Sequence, residues 1–114
     1  MSKAWYVINS YSGYENKAKE QLLERIKLEG KEEQFGRIEI PTHEIVELKG
    51  GKEKIIEKKF FPGYILIEME MNDDTWHLVK ETPRVLGFIG GTKNNPKSIS
   101  DAEAAKILNQ MEHG

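Results

Sequence analysis

His43, His77 and His113 are the side chains in this sequence best suited to proton transfer or metal ligation near neutral pH. They lie about one third of the chain apart, and none has a second histidine at metal-ligand spacing. They read as surface or cap histidines. The chain has no cysteine, which excludes a thiol nucleophile, a thiolate zinc site and a disulfide framework together. Gly50-Gly51 and Gly90-Gly91 are not followed by the Lys-Ser/Thr of a phosphate-cradling loop, and no G-x-S-x-G elbow is present. The 19 acidic residues are mostly solvated helix charge. With every catalytic constellation missing, the sequence reads as a binding protein without a cofactor or metal, not as an enzyme.

Phe60-Phe61-Pro62-Gly63-Tyr64 has a different kind of chemistry to offer. Three aromatics surround a Pro-Gly pair, which bends the chain at the entry to a strand and keeps consecutive Phe rings out of one core layer. One ring is expected to face outward. Trp5, Tyr11 and Tyr14 flank the first strand and extend the aromatic surface. Such a patch on a small domain marks a binding site. A protein partner fits better than a membrane, because no basic amphipathic helix accompanies the patch.

These residues need elements to position them. Trp5 to Ile8 is a short aromatic and β-branched run that predicts a central strand buried on both faces. Ser12 and Glu15 have capping-box spacing, and Tyr14, Ala18, Leu22 and Ile26 form a stripe along the helix that follows, which Gly30 stops. Phe35 to Ile40 alternates as a strand does. After Pro41, Ile45 to Leu48 and Ile55-Ile56 form the arms of a hairpin around Gly50-Gly51. Tyr64 to Met71 gives the strongest strand signal. Asn72-Asp73-Asp74 caps a helix with Trp76 and Val79 on its inner face, and Pro83 ends it. Val85 to Ile89 is the last strand. Thr92 to Ser98 reads as a loop, and Ser100 and Glu103 open a closing helix with a stripe of Ala104, Ile107, Leu108 and Met111. This order predicts an α+β fold of the split βαβ type, an antiparallel sheet with packed helices plus a charged β-hairpin.

Composition limits the partners. The 114 residues suffice for one domain, and 17 basic against 19 acidic residues leave a formal charge of −2. A sheet of this topology bearing aromatics is how RNA-recognition domains stack bases. Yet near-neutral charge opposes strong binding to phosphate backbones. Lys49, Lys52, Lys54, Lys58 and Lys59 cluster on the hairpin, but Glu47, Glu53 and Glu57 alternate with them, as on a sheet edge kept soluble by charge. No apolar run approaches a membrane span or a signal peptide, so a cytoplasmic protein is expected.

WYVINSYSGYE (Trp5 to Glu15), IPTHEIVE (Ile40 to Glu47), KKFFPGYILIEMEM (Lys58 to Met71), TWHLVKETPRVLGFIGG (Thr75 to Gly91) and ISDAE (Ile99 to Glu103) together resemble the N-terminal domain of the NusG family of bacterial transcription elongation factors. The resemblance runs in order through nearly all of residues 1–114, and FFPGY before a strand is its most specific part. It implies a four-stranded antiparallel sheet, a monomer, and docking on RNA polymerase through an aromatic pocket for the largest subunit's clamp coiled coil. By position, Phe61 and Tyr64 match the pocket's centre, and Trp5, Tyr11 and Pro62 its walls. Glu81, Thr82 and Arg84 match the part that approaches the opposite polymerase lobe, on the second subunit, and the non-template DNA. A domain bridging the cleft would suppress pausing and support processive elongation. Family members that stabilise pauses carry an Asn-Thr pair where Glu81-Thr82 stands here, and a carboxylate beside phosphates implies pause suppression. The family continues into a KOW domain for Rho and the ribosome, which residues 1–114 do not include; termination, antitermination and coupling to translation would depend on it. A specialised paralogue and a free-standing RNA-binding module are the rival readings.

Overall fold

In the computed structural model, residues 3–59, 62–91 and 96–113 are described; for residues 42–47, 49, 55–59 and 109–113 this covers the backbone alone. Phe60, Phe61 and most of the Thr92 to Ser98 loop therefore lie outside the described residues. So do the side chains of His43, Met111 and His113 and of three hairpin lysines, Lys49, Lys58 and Lys59.

Two central strands carry the fold. β1 (Ala4–Ser10) pairs antiparallel with β5 (Tyr64–Met69), with Val7 opposite Leu66 and Asn9 opposite Tyr64. β2 (Phe35–Glu39) adds to the far side of β5, and β6 (Val85–Ile89) to the far side of β1, giving the order β2-β5-β1-β6. The chain reaches neighbouring strands through helices α1 (Glu15–Leu28) and α2 (Asp73–Lys80), as a split βαβ unit requires. This is the expected antiparallel four-stranded α+β architecture.

Because side chains alternate along a strand, the pairing register assigns two faces. Tyr6, Ile8, Ile38, Ile65, Ile67 and Met69 project toward α1 and α2, where they meet Ala18, Leu22, Ile26, Leu78 and Val79 in the main core. Trp5, Val7 and Leu66 project to the other face, under α3 (Asp101–His113). Both faces being covered explains why β1 and β5 are nearly unbroken apolar runs. Ser100 caps α3 as its spacing predicts, its Oγ accepting from the Glu103 N–H at 3.1 Å. Ile99 forms a bridge to Trp5, its N–H donating to the Trp5 carbonyl at 2.8 Å, and leads the chain into α3.

Between β2 and β5 the chain makes the hairpin of β3 (Thr42–Lys49) and β4 (Lys52–Lys59), antiparallel as expected, with Val46 opposite Ile55. Gly50 and Gly51, at φ +59° and +77°, supply the paired positive angles of its two-residue turn.

Two local expectations need correction. Helix α1 has no capping box: its N-cap is Tyr14, which makes no side-chain cap bond and is half exposed, so the buried stripe is Glu15, Ala18, Leu22 and Ile26. On α2 the inward residues are Thr75, Leu78 and Val79, and Trp76 sits on the flank, edge-on to His77 with ring centroids 4.9 Å apart. The i, i+3, i+4 rule selects the first set, and Trp76 falls one residue, or 100°, off that stripe.

Candidate partner-binding site

The Pro62-Gly63 turn is held by the junction of β1 and α1. Gly63 donates its N–H to Glu15 Oε2 at 2.6 Å, and its carbonyl accepts from the Ser10 N–H at 2.6 Å and Ser10 Oγ at 3.2 Å. The second Glu15 oxygen accepts from the Gly13 N–H at 2.9 Å. Glu15 is 1% exposed, yet a carboxylate at the first residue of a helix sits where the helix dipole favours negative charge. Gly63 has φ +84°, and a Cβ there would stand 2.8 Å from the Ser10 carbonyl oxygen. Only glycine fits this position.

Downstream of that turn, Tyr64 begins β5 on the α3 side of the sheet. An apolar cavity of about 190 Å³ opens there, lined by Val7, Pro41, Tyr64, Ile65, Leu66, Ile89 and Ile107. Tyr64 is 37% exposed at its edge, Tyr11 is 55% exposed at the end of β1, and Pro62 is exposed in the turn. Trp5 shares the face but not the opening: it is 7% exposed and packs with Leu66 and Ala104 beneath α3. Of the expected pocket residues, then, Tyr64 lines the cavity, Tyr11 and Pro62 lie on the surface at the turn junction, Trp5 is buried on the same sheet face, and Phe61 lies outside the described residues.

The second expected surface follows α2. Thr82 points inward, 2% exposed, with its Oγ1 donating to the Leu78 carbonyl at 2.7 Å. Glu81 is exposed, and its carbonyl accepts from Arg25 Nη1 at 3.0 Å. Arg84 is half-buried and holds a left-handed backbone angle of φ +73°. Its guanidinium lies 5.3 Å from the centre of the Tyr14 ring and donates to Gln21 Oε1 at 3.5 Å, and its carbonyl accepts from the Tyr11 N–H at 3.4 Å. The Ser10–Glu15 segment therefore touches both the Gly63 turn and the Arg84 loop.

The arrangement suits recognition of an apolar surface. Among the described residues no group of acidic or histidine side chains could hold a metal ion. Burial pushes the Tyr6 hydroxyl above its ordinary range. Glu15, Ser10 and Pro41 were not among the residues expected here. Pairing Val7 with Leu66 was open to anyone reading the two apolar runs as neighbours, but the Glu15–Gly63 contact spans 48 positions and leaves no local signal.

Comparison with known proteins gives this geometry a family. Residues 3–108 match the family model described as transcription termination factor nusG. The chain is 56% identical over 111 residues to the transcription termination/antitermination protein NusG of Pseudomonas aeruginosa, covering 97% of this chain and 63% of that protein. It is 50% identical over 110 residues to that of Escherichia coli, covering 96% of this chain and 61% of that protein. It thus spans about three-fifths of these relatives. Among solved structures, Thermotoga maritima NusG superposes with a TM-score of 0.75 at 34% identity, over 94% of this chain and 56% of that one. The NusG N-terminal domain (NGN) of Methanocaldococcus jannaschii shares the fold, with a TM-score of 0.50 at 19% identity over 91% of this chain and 99% of that one. The chain belongs to the NusG family.

Proposed function

We propose that this domain binds RNA polymerase by receiving the tip of the largest subunit's clamp coiled coil in the aromatic surface around the Pro62-Gly63 turn. The observation that carries this reading is an apolar cavity edged by half-exposed Tyr64, next to exposed Pro62 and Tyr11, on a domain of a transcription-factor family. Helix-in-groove recognition of this kind concentrates binding energy in a few rings. Phe61 adjoins the turn in sequence and is assigned to the seat with Tyr64, whereas Trp5, opposite Glu68 and packed under α3, lies along the same face away from the opening.

The Glu81–Arg84 loop is the second contact, toward the opposite polymerase lobe or the non-template strand. Glu81 and Arg84 offer side chains there, and Thr82 holds the turn that presents them. A domain gripping both walls of the cleft binds the closed, elongating polymerase better than the open, paused one, and shifts the population accordingly. Pausing is suppressed and elongation is processive. In longer family members a further domain would add Rho or ribosome contacts.

A free-standing RNA module is the weaker reading. α3 lies over Trp5, Val7 and Leu66, on a sheet face where an RNA-recognition domain would stack bases.

The test is Tyr64→Ala, compared with the parent chain for affinity to core polymerase and for dwell time at a pause with T-rich non-template DNA. Loss of a half-buried aromatic anchor is expected to weaken binding by about 2 kcal/mol, roughly 30-fold, and to abolish pause shortening. Unchanged affinity in the variant, or a longer pause with the parent chain, overturns the proposal.

A further inference from the structure

The polymerase-docking reading names the rings; what holds them in place is a separate question, and the answer proposed here rests on that reading. We propose that Glu15 is the positioning residue of the aromatic seat, a buried carboxylate latch that fixes the direction in which the Pro62-Gly63-Tyr64 turn presents its side chains.

A glutamate that merely favoured a helix start could sit in water. Glu15 instead is 1% exposed, and its two oxygens go to two backbone donors, Gly13 N–H at 2.9 Å and Gly63 N–H at 2.6 Å. The first bond lies within its own turn. The second crosses to a segment 48 residues away and seizes the peptide just before Tyr64. On the other side of the same residue, the Gly63 carbonyl is taken by the Ser10 N–H and Oγ. Both polar groups of Gly63 are thus committed to the β1–α1 junction, which sets its φ of +84° and, through it, the exit direction of Tyr64. Bonds from amides to a buried carboxylate are among the stronger kinds and leave little play. The partner-facing rings are held by a group that never meets the partner.

Glu15→Gln tests this with almost no change in shape. A glutamine offers one acceptor oxygen and one NH₂ where two acceptors are used, so one of the two amides must face a donor. Three measurements on the full chain separate the outcomes. In a ¹H–¹⁵N spectrum, the Gly63 or Gly13 amide is expected to move upfield while α2 amides stay in place. Affinity for core polymerase is expected to fall about tenfold, whereas Leu22→Ala, a core change elsewhere on α1, keeps the parent affinity at a temperature where it is folded. Ser10→Ala, which removes only the hydroxyl bond to Gly63, serves if Glu15→Gln does not fold, and is expected to weaken binding about threefold. Tyr64→Ala is run alongside. If Tyr64→Ala weakens binding but Glu15→Gln weakens it no more than Leu22→Ala does, or leaves both glycine amides unmoved, the latch is overturned. If Tyr64→Ala binds like the parent, the docking reading itself has failed, and the latch as a determinant of docking falls with it.

Discussion

Thr82 has a hydroxyl with no water around it, and that hydroxyl donates to the Leu78 carbonyl at the end of α2. The last four carbonyls of a helix have no donor within the helix, so the side chain stands in for the missing turn. Thr82→Val keeps the volume and removes the bond. It is expected to lower stability by about 1 kcal/mol, read as a fall in Tm of about 4 °C, and an unchanged Tm would show that the hydroxyl contributes nothing. Residue roles of this sort were only partly legible. Tyr64 was visible as an aromatic beside a Pro-Gly bend and Tyr11 as one flanking the first strand, because a bend and a strand end have local causes. Thr82 looked like a surface residue and Glu15 like a helix cap, because each is defined by what the fold brings to it. Tyr14 was expected in the core on spacing alone, but the helix starts one residue later and Arg84 covers the ring from outside.

Elements were easier to read than roles. Strands buried on both faces announce themselves as apolar runs, and the hairpin by its glycine pair. Helix starts divided: Ser100 and Glu103 form the cap their spacing predicts, whereas Ser12 and Glu15 share the spacing and not the geometry, since Gly63 competes for the carboxylate. At α2 the reciprocal box is between Asn72 and Thr75, with Thr75 N–H to Asn72 Oδ1 at 2.9 Å and Asn72 N–H to Thr75 Oγ1 at 3.0 Å. The cover provided by α3 is the element-scale feature that weighs against the RNA-binding reading, and it turns on Ala104, fully buried against Trp5 and Leu66. Ala104→Asp places a carboxylate in that contact with no partner, a cost of several kcal/mol, and is expected to undock the helix. Trp5 fluorescence should then shift to the red; unchanged emission would mean that α3 stays docked.

At the scale of the whole molecule, the formal charge of −2 sets how the domain responds to salt. A protein neutralising 6–10 DNA phosphates loses roughly 10³–10⁵ in affinity between about 50 and 200 mM salt. A domain seated through rings on a protein surface has few counterions to release, and its polymerase affinity is expected to fall less than about tenfold over that range; a steeper loss would mean that nucleic acid carries the binding. The Tyr11–Tyr14 segment has a further consequence, for anyone wishing to attach a reporter. Its flanking residues, Ser10 and Glu15, both bond to Gly63, and its end residues, Tyr11 and Tyr14, both meet Arg84, so its length is fixed by two distant anchors and an inserted residue would misplace both. The Gly50-Gly51 tip joins the paired arms β3 and β4, and among the described residues there Leu48 and residues 50–54 are exposed. A dye or epitope grafted at the tip should leave the domain's assembly undisturbed, and the same graft at Ser12 should not.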